Sequence, residues 1–311
     1  MIVNDKKVEI FRQHKTRLFG IAYRMLGTSD EAEDILQEAY IRWHKTDTAE
    51  IETPEAWLVT VVTRLSIDRL RKASIERETY IGPWLPEPLI TSIAPSPEEE
   101  MELASNLSLA FMVLLERLSP LERAVFLLHD IFDCDYAEIA RIVGKSETAS
   151  RQIIHRARTR VKNDKPRFEA NEKERTRLIK KFAAASYSGD EKTLLSLFSE
   201  EISSVSDGGG KVTAARKILR GKNRIARVFS ILGAKYGKVL KNLIIPINGE
   251  TGLLTLFEGK PLAVTAFEFE DGKISAMYRV MNPDKLKAFG ELDENFFSRE
   301  QTRNFTKDFS F

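Results

Sequence analysis

The chain has 311 residues, which is enough for two or more domains that each bury a core of their own. Its 48 Lys and Arg nearly balance its 46 Asp and Glu, so a basic surface for nucleic acid can arise only locally. A single cysteine, Cys134, excludes an intramolecular disulfide and fits a reducing compartment. Because no apolar run is long enough to span a bilayer and Met1 to Ile10 lacks a signal-peptide core, we expect a cytoplasmic protein that does not use a membrane.

Two amphipathic helices are predicted at the start of the chain. The first covers about residues 7–26 and ends at Gly27. Thr28 or Ser29 then caps a second helix whose acidic first turn complements the positive end of the helix dipole. Acidic residues continue to Glu38, so the second helix is expected to carry an exposed acidic ridge suited to a basic partner.

A third helix is predicted to begin at Thr53-Pro54, because Thr is a good N-cap and Pro suits the first helical position. Its second half is cationic. The basic residues there are Arg64, Arg69, Arg71 and Lys72. A cationic helix end on its own commonly does no more than compensate the helix dipole.

Residues 74–105 are rich in proline, which blocks helix and favours an extended, semi-rigid backbone. They contain the runs Gly82-Pro83-Trp84-Leu85-Pro86-Glu87-Pro88 and Pro95-Ser96-Pro97-Glu98-Glu99-Glu100. Most such segments are plain linkers. A tryptophan is costly to leave in water, however, so we expect Trp84 to dock on a neighbouring surface.

Residues 121–162 have the pattern of a helix-turn-helix unit for duplex DNA. A short helix at residues 136–143 is followed by a turn at Gly144 and by Ser146, the expected N-cap of a helix that starts at Glu147. Such a helix fits the major groove, where its first residues approach base edges and its later cations neutralise phosphates. The candidate base contacts are Ser150, Arg151 and Gln152, and the candidate phosphate contacts are His155, Arg156 and Arg158. The alternative is a solvated basic face on an ordinary helical hairpin.

After Lys165-Pro166 the pattern changes to that of an α+β domain. Helices are predicted at residues 172–187, 193–198 and 223–236, and strands at residues 243–247, 253–257, 262–269 and 274–280. Asn248-Gly249 and Asp271-Gly272 supply hairpin turns, because such turns favour positive φ. Helices followed by an antiparallel meander predict a sheet that curls over the helices.

Three stretches, in this order and at these separations, closely resemble bacterial extracytoplasmic-function (ECF) sigma factors. They are SDEAEDILQEAYIRW from Ser29, TPEAWLVTVVTRLSIDRLRKA from Thr53, and LSPLERAVFLLHDIFDCDYAEIARIVGKSETASRQIIHRARTRVK from Leu118. The resemblance implies two all-α domains: sigma region 2, a helical bundle, at residues 1–73, and sigma region 4, the helix-turn-helix, at residues 105–165. A linker at residues 74–104 would join them.

The resemblance also implies roles for three sets of residues and two partners, core RNA polymerase and promoter DNA. The clamp helices of the polymerase would meet Asp34, Gln37, Glu38 and Arg42. The −10 element would be engaged and melted at Arg64, Asp68, Arg69 and Arg71. The helix from Glu147 would read the −35 element with the candidate DNA contacts named above. Many family members have Asn where this chain has Arg64.

The part of the chain at residues 166–290 resembles the SnoaL-like, NTF2-type cone fold, followed by a tail at residues 291–311. Two motifs, together with Trp84-Leu85-Pro86, are similar to signatures of the ECF subgroup that carries a fused SnoaL-like domain. They are Asp207-Gly208-Gly209-Gly210-Lys211 and Asn282-Pro283-Asp284-Lys285-Leu286. The resemblance implies that the cone regulates the sigma factor in cis. We hypothesise that residues 282–286 and Trp84 pack against each other or against the sigma regions.

The glycine run at residues 208–210 does not fit a phosphate-binding P-loop, because that spacing requires Gly where the chain has Val205 and Ser or Thr where it has Val212. A turn is the simpler interpretation, and an amide nest for an anion is the alternative. All four histidines lie in the sigma part, so a catalytic cone would depend on Tyr, Lys or carboxylates such as Asp207. We expect no catalytic residues, no metal site and no cofactor.

The sequence therefore predicts an ECF-type sigma factor that binds core RNA polymerase and directs promoter-specific initiation, with its fused cone regulating this activity. The alternative is a sigma-like DNA-binding protein whose cone is a small-molecule sensor or an enzyme. Whether an unknown small molecule enters the cone stays open at this point.

Overall fold

The computed structural model describes residues 2–47, 51–90, 107–162 and 172–290. These residues form two compact units. Of the described residues, the first unit contains 2–47, 51–79 and 107–162, and the second contains 80–90 and 172–290. The segment expected as a linker therefore begins in a helix of the first unit and continues as part of the second. The second proline-rich run, at residues 95–100, and the C-terminal tail lie outside the described residues.

The described part of the first unit is helical. Its helices are α1 (Ile2–Leu26), α2 (Ser29–Lys45), α3 (Pro54–Glu78), α4 (Leu109–Leu115), α5 (Pro120–Asp130), α6 (Tyr136–Val143) and α7 (Glu147–Lys162). Helices α1 to α3 bury a core that includes Leu18, Trp43 and Leu58. Thr28 occupies the N-cap position of α2, but its hydroxyl donates to the Glu31 carboxylate (2.9 Å) and makes no cap bond to the backbone.

Helices α6 and α7 form the predicted helix-turn-helix. The Asp135 side chain caps α6 by accepting from the amide of Glu138, and Gly144 ends the helix in the left-handed conformation at φ 66°. The amide of Ala149 donates to the Ser146 hydroxyl at 3.2 Å, which confirms the expected cap of α7. The helix boundaries thus follow from local side-chain chemistry.

The second unit combines helices with one six-stranded sheet. Its helices are α8 (Glu172–Ser188), α9 (Glu191–Leu197), α10 (Lys222–Tyr236) and α11 (Lys287–Gly290), with short 3₁₀ turns at Gly237–Val239 and Pro283–Lys285. Its strands are β1 (Phe198–Asp207), β2 (Leu219–Arg220), β3 (Leu240–Ile247), β4 (Glu250–Phe257), β5 (Lys260–Glu270) and β6 (Lys273–Val280). The strand order is β2-β1-β6-β5-β4-β3.

Strands β3 to β6 form the predicted antiparallel meander, but the meander is only part of the sheet. The sequence prediction missed β1, which lies beside β6 and runs parallel to it. Its sequence, FSEEISSVSD, is rich in Ser and Glu and lacks a clear alternation of apolar residues. The predicted turns are confirmed, because Asn248 and Asp271 both have positive φ, at 51° and 49°.

One face of the sheet packs against α8, α9 and α10. An aromatic cluster fills this interior, with the Phe182 ring centroid 5.1 Å from that of Phe229 and 5.3 Å from that of Phe267. Phe198 and Met277 are also fully buried there. The expected α+β arrangement, in which helices pack on one face of the sheet, is therefore observed.

Candidate DNA and polymerase interfaces and the linker-binding site

The residues expected to meet the polymerase share the exposed face of α2. The opposite face of the helix is buried through Ile35, Ala39 and Trp43. The exposed side chains are Asp34, Gln37, Glu38 and Arg42. Glu38 and Arg42 form an ion pair at 2.9 Å, one helical turn apart. The helix thus presents a polar ridge in which carboxylates predominate.

The residues expected at the −10 element lie on α3, and its arginines already have protein partners. Arg69 pairs with Glu76 at 3.0 Å and also with Glu31, and the hydrogen bond with Glu76 is the main reason that the Arg69 pKa is raised. Arg71 pairs with Asp68 at 2.9 Å. Any nucleic acid that binds here competes with these carboxylates for the guanidinium groups.

Arg64 makes a different kind of contact, because it reaches region 4. Its Nε donates to the carbonyl oxygen of Ile142 at 2.8 Å, and its Nη2 donates to the carbonyl oxygen of Arg141 at 3.0 Å. These carbonyls belong to the last turn of α6, where no further intrahelical donor is available. The guanidinium therefore caps the first helix of the helix-turn-helix.

Helix α7 exposes most of the residues expected to contact DNA. Gln152, His155 and Arg156 are exposed. Arg151 is also exposed and lies over the Tyr136 ring, with its guanidinium carbon 4.7 Å from the ring centroid. Arg158 is half-buried because it forms an ion pair with Asp130, in which Nε lies 2.9 Å from Oδ2.

Ser150 does not lie where a base contact requires, because its side chain faces the interior of the unit. It was expected to contact bases, but its side chain is fully buried and its hydroxyl donates to the carbonyl oxygen of Ser146 at 3.1 Å. The reason is the helical period. Ser150 lies one turn before the buried Ile153 and Ile154, on the face of α7 that packs inside the unit.

A charged network that sequence reasoning missed joins the two predicted sigma regions. Arg123 is 1% exposed, donates to the carbonyl oxygen of Arg24 at 2.8 Å and pairs with Glu116 at 2.6 Å. Glu116 also pairs with Arg77, which donates to the carbonyl oxygen of Leu26 at 2.7 Å. Burial is the main cause of a lowered Arg77 pKa. These residues lie far apart in the sequence, so no local pattern indicates their meeting.

In the second unit, Asp207 binds Leu85, which belongs to the Trp84 motif, and Tyr80, which lies just before that motif. This carboxylate is fully buried at the end of β1. It accepts from the Tyr80 hydroxyl (2.5 Å), the Leu85 amide (2.9 Å), the Gly209 amide (3.0 Å) and Lys285 Nζ (2.7 Å). Both carboxylate oxygens are therefore satisfied by donors from three separate stretches of the chain.

Lys285 completes the contact with the Trp84 motif. Its buried ammonium group donates to the carbonyl oxygen of Leu85 as well as to Asp207. It also lies 4.1 Å from the centroid of the Trp84 ring, close enough for a cation-π interaction. The prediction that Trp84 docks on a neighbouring surface is confirmed, and that surface is formed by the cone.

Tyr80 links Asp207 to Asn282 through its hydroxyl group, and sequence reasoning missed it. Its hydroxyl donates to Asp207 and accepts from the Asn282 amide group at 2.9 Å. Burial first, and the neighbouring Asp207 second, raise the Tyr80 pKa, so the phenol keeps its proton at neutral pH. An aromatic residue two positions before the Gly82-Pro83-Trp84 run was the available signal.

The motif at residues 282–286 is arranged by its own first residue. The Asn282 side chain caps the 3₁₀ turn Pro283–Lys285 by accepting from the Asp284 amide at 3.1 Å. Leu286 is buried after the turn, and Asp284 forms an exposed ion pair with Lys211 of the glycine loop. The turn therefore directs Lys285 inward and Asp284 outward.

The far end of the linker segment pairs with the hairpin between β3 and β4. The Leu89 amide donates to Asn248 Oδ1 at 2.9 Å, and the Asn248 amide donates to the Leu89 carbonyl oxygen at 2.8 Å. Ile90 and Ile247 then form an antiparallel bridge. Residues 80–90 are consequently attached to the cone at both ends.

The glycine run is a turn, as the simpler interpretation predicted, and it also permits close approach. The Lys211 amide donates to the Gly208 carbonyl oxygen at 3.0 Å. A Cβ on Gly209 would lie 2.5 Å from Asn282 Nδ2, and one on Gly210 would lie 2.8 Å from Ile81 Cδ1. Both glycines have positive φ. Side chains here would push away the segments that the cone holds.

Among the residues that the structure describes, no helix combines the length and apolarity that a bilayer span requires. Within the same ranges, no group of three or more His, Cys, Asp and Glu side chains lies close enough together to hold a metal ion.

Comparisons with known proteins agree with the motifs. The Sigma-70 region 2 family matches residues 10–75, and the Sigma-70 region 4 family matches residues 108–161. The ECF RNA polymerase sigma factor SigJ of Mycobacterium tuberculosis is 38% identical over 290 residues, covering 89% of this chain and 91% of SigJ. The probable ECF RNA polymerase sigma factor SigI of the same species is 28% identical and covers 92% of this chain and 97% of its own length.

The fold is also similar to a solved structure. The crystal structure of the Mycobacterium tuberculosis extracytoplasmic function sigma factor SigJ superposes with a TM-score of 0.73 at 34% identity, covering 92% of this chain and all of that one. The similarity therefore includes the C-terminal SnoaL-like part as well as the two helical regions. On this evidence the chain belongs to the ECF RNA polymerase sigma factor family.

Proposed function

We propose that this protein binds core RNA polymerase and directs it to promoters with a −10 and a −35 element, and that it has no catalytic activity of its own. The observation that carries this proposal is the capped helix-turn-helix of α6 and α7, which is placed in one unit with the region 2 bundle and exposes Arg151, Gln152 and Arg156. An exposed cationic helix of this kind suits the major groove.

Region 2 supplies the other two surfaces. The exposed ridge on α2, formed by Asp34, Gln37, Glu38 and Arg42, is the proposed binding site for the polymerase clamp. The face of α3 with Arg64, Asp68, Arg69 and Arg71 is the proposed site for the −10 element. The internal ion pairs of this face predict that promoter binding exchanges protein carboxylates and carbonyls for DNA phosphates and bases.

Regulation by the cone follows from where residues 80–90 are attached. Only Thr79 separates the end of α3 from the anchored Tyr80. With the segment free, residues 79–108 connect α3 to α4 and reach at most about 100 Å when fully extended. With the segment held by Asp207, Lys285 and Asn248, residues 80–90 can no longer extend freely, which removes about 35–40 Å of adjustable length from that connection. The cone would therefore limit how region 4 is placed relative to region 2.

The interdomain set of residues acts together in this proposal. Trp84 is the aromatic anchor, Asp207 and Lys285 form the buried ion pair, and Asn282 positions Tyr80. The residues that shape the backbone around them are Gly208, Gly209, Gly210, Pro283 and Leu286. The Asp284 side chain contributes an exposed ion pair with Lys211 and does not contact the segment in this proposal. Release of the segment would lengthen the connection between the sigma regions and change promoter output.

The test is transcription by core polymerase on a genomic promoter library with the full chain added. We expect transcripts from a defined set of promoters, and a loss of roughly tenfold or more when Arg151 and Gln152 are both replaced by Ala, since each base contact is worth about 1–3 kcal/mol. Arg224→Ala, on an exposed face of the cone, is the matched control. Failure of the wild-type chain to give any promoter-specific transcript would refute the proposal.

A further inference from the structure

The interior face of the cone carries a cation, Arg279, in the middle of the sheet. This residue lies on β6, which has β1 on one side and β5 on the other. Its register partners are Ser206 on β1 and Thr265 on β5. Side chains of register partners lie on the same face, so a guanidinium and two hydroxyl groups adjoin each other in three neighbouring strands.

This face is the one that packs against the helices. Met277, two residues before Arg279, belongs to the aromatic core, and so does its register partner Phe267. The guanidinium carbon of Arg279 lies 4.9 Å from the ring centroid of Phe229 on α10. Arg279 therefore lies between the sheet and α10, next to the apolar core.

The side-chain polar groups at this place have no hydrogen-bonding partner among the residues that the structure describes. Within the described ranges, Arg279 forms no ion pair or hydrogen bond with another residue, and its one contact of an electrostatic kind is the Phe229 ring. Ser206 and Thr265 are 4% and 2% exposed, yet their hydroxyl groups also make no side-chain hydrogen bond to any residue that the structure describes. Arg279 itself is half-buried and keeps part of its surface open.

Hydrogen-bond donors that are shielded from water cost free energy unless an acceptor binds them. A half-buried guanidinium without a carboxylate loses part of its hydration, and a cation-π contact replaces only some of that loss. Burial lowers the Arg279 pKa to about 10, so the group still carries its charge at neutral pH. An anion that accepts hydrogen bonds from the guanidinium and the two hydroxyls would satisfy all three donors at once.

We propose that Arg279, Ser206 and Thr265 form a binding site for the carboxylate group of a small organic acid inside the cone. One guanidinium and two neutral hydroxyls match the single charge and the planar pair of oxygens of a carboxylate. The adjoining Phe229 and Met277 suit an apolar body on the same molecule. A phosphate dianion would leave excess negative charge in this apolar setting.

The site is next to the group that binds the linker segment. Ser206 precedes Asp207 on β1, and Arg279 is followed by Val280, the register partner of Asp207. Alternation along the strand places Ser206 on the interior face and Asp207 on the opposite face. An acid bound at Arg279 is thus one residue away from the carboxylate that holds Tyr80 and Leu85.

Binding is tested on the full chain without polymerase, so the result is independent of the proposed sigma activity. Titration calorimetry would use four carboxylates (acetate, hexanoate, phenylacetate and indole-3-acetate), the neutral analogue phenylacetamide, and inorganic phosphate. We expect at least one carboxylate to bind below about 1 mM and its neutral amide to bind roughly tenfold more weakly or not at all. Arg279→Gln should weaken the acid by roughly tenfold or more, and Arg224→Gln should leave it unchanged.

Several results would overturn the assignment. These are no heat from any of the four acids up to about 10 mM, equal binding of phenylacetate and phenylacetamide, tighter binding of phosphate than of the acids, or unchanged affinity in Arg279→Gln. If Arg279→Gln unfolds, the acid-to-amide comparison on the wild-type chain decides, together with Ser206→Ala and Thr265→Val, which should each weaken the acid and leave the amide unaffected.

Discussion

The ammonium group of Lys285 lies 2.7 Å from the carboxylate of Asp207, and the two side chains are 8% and 0% exposed. They are 78 residues apart in the sequence, and Lys285 also binds the backbone of Leu85, 200 residues before it. A buried pair of this kind contributes little net free energy when intact, but removing one charge leaves the other unpaired in a dry site. The pair therefore makes the docking of residues 80–90 sensitive to single substitutions.

Asp207→Asn should release the linker segment. The variant keeps the shape of the side chain but leaves Lys285 without its counter-charge, so we expect the second unit to lose about 3–5 kcal/mol of unfolding free energy. Amides at residues 80–90 should exchange hydrogen faster, as measured by mass spectrometry.

The matched control is Asp284→Asn, which removes an exposed ion pair from the same corner of the cone. The Lys211 and Asp284 side chains are 54% and 52% exposed. Exposed pairs are screened by solvent, so this change should cost at most about 1 kcal/mol and leave exchange at residues 80–90 unaltered. Equal effects of the two variants would show that the buried pair does not hold the segment.

Arg64→Ala should weaken the first unit. The change removes two donors to the carbonyl oxygens of Arg141 and Ile142, and it leaves the end of α6 uncapped. Because Arg64 is itself exposed, we expect a loss of about 1–2 kcal/mol in denaturant unfolding. Lys72→Ala, an exposed cation on the same helix, should change stability by less than about 0.5 kcal/mol. If Arg64→Ala loses no more unfolding free energy than Lys72→Ala, the hydrogen bonds from Arg64 to the two carbonyl oxygens do not stabilise the unit.

Arg156 and Arg151 should affect DNA binding in different ways. Arg156→Ala removes an expected phosphate contact, so DNA affinity should fall for all sequences. The slope of log affinity against log salt concentration should become shallower by about one. Arg151→Ala removes an expected base contact and should relax specificity at one position, with a loss of about 1–3 kcal/mol for the preferred base. Fluorescence anisotropy over a salt series with sequence variants separates these effects. Identical behaviour of both variants would contradict the assigned roles.

Ser150→Ala tests whether the buried Ser150 side chain contributes to base recognition. Because Ser150 is buried and its hydroxyl donates to its own helix, the variant should keep the base preference of the wild type within about twofold. A changed preference at a single base pair in a promoter-variant binding assay would restore Ser150 as a base contact.

Cys134 should be an unreactive thiol in the folded protein. Burial, followed by the nearby Glu138, raises its pKa to about 12. The thiolate is the reactive form, so labelling by a disulfide reagent at pH 8 should be slow in the native chain and fast after unfolding in denaturant. Raising the pH toward 12 should accelerate native labelling. Rapid stoichiometric labelling at pH 8 without denaturant would show that the thiol is accessible and ionised.

The helices of this protein could be predicted well because local chemistry determines them. Three of these features depend only on neighbours within a few residues. They are the i, i+4 spacing of the buried Ile35 and Ala39, the cap at Ser146 and the turn at Gly144. Strand β1 was missed because its Ser and Glu residues imitate a loop, and pairing with β6 is what stabilises it.

In the candidate sites, too, local sequence predicts some features, and packing between distant parts of the chain determines the others. The exposure of Arg151 and Gln152 follows from helical period, whereas the burial of Ser150 depends on how α7 packs. The docking of Trp84 could be expected from its cost in water, but its partner Lys285 and the role of Tyr80 depend on contacts between distant parts of the chain. Contacts of that range are not encoded in any local pattern.

The most direct test of the account is run-off transcription with core polymerase, comparing the full wild-type chain with Asp207→Asn. Both proteins should initiate from the same promoters, and their yields should differ by about fivefold or more, the usual size of coupling between two sites. Asp284→Asn should match the wild type. Equal yields from wild type and Asp207→Asn, with residues 80–90 shown to be released in the variant, would contradict regulation through linker docking.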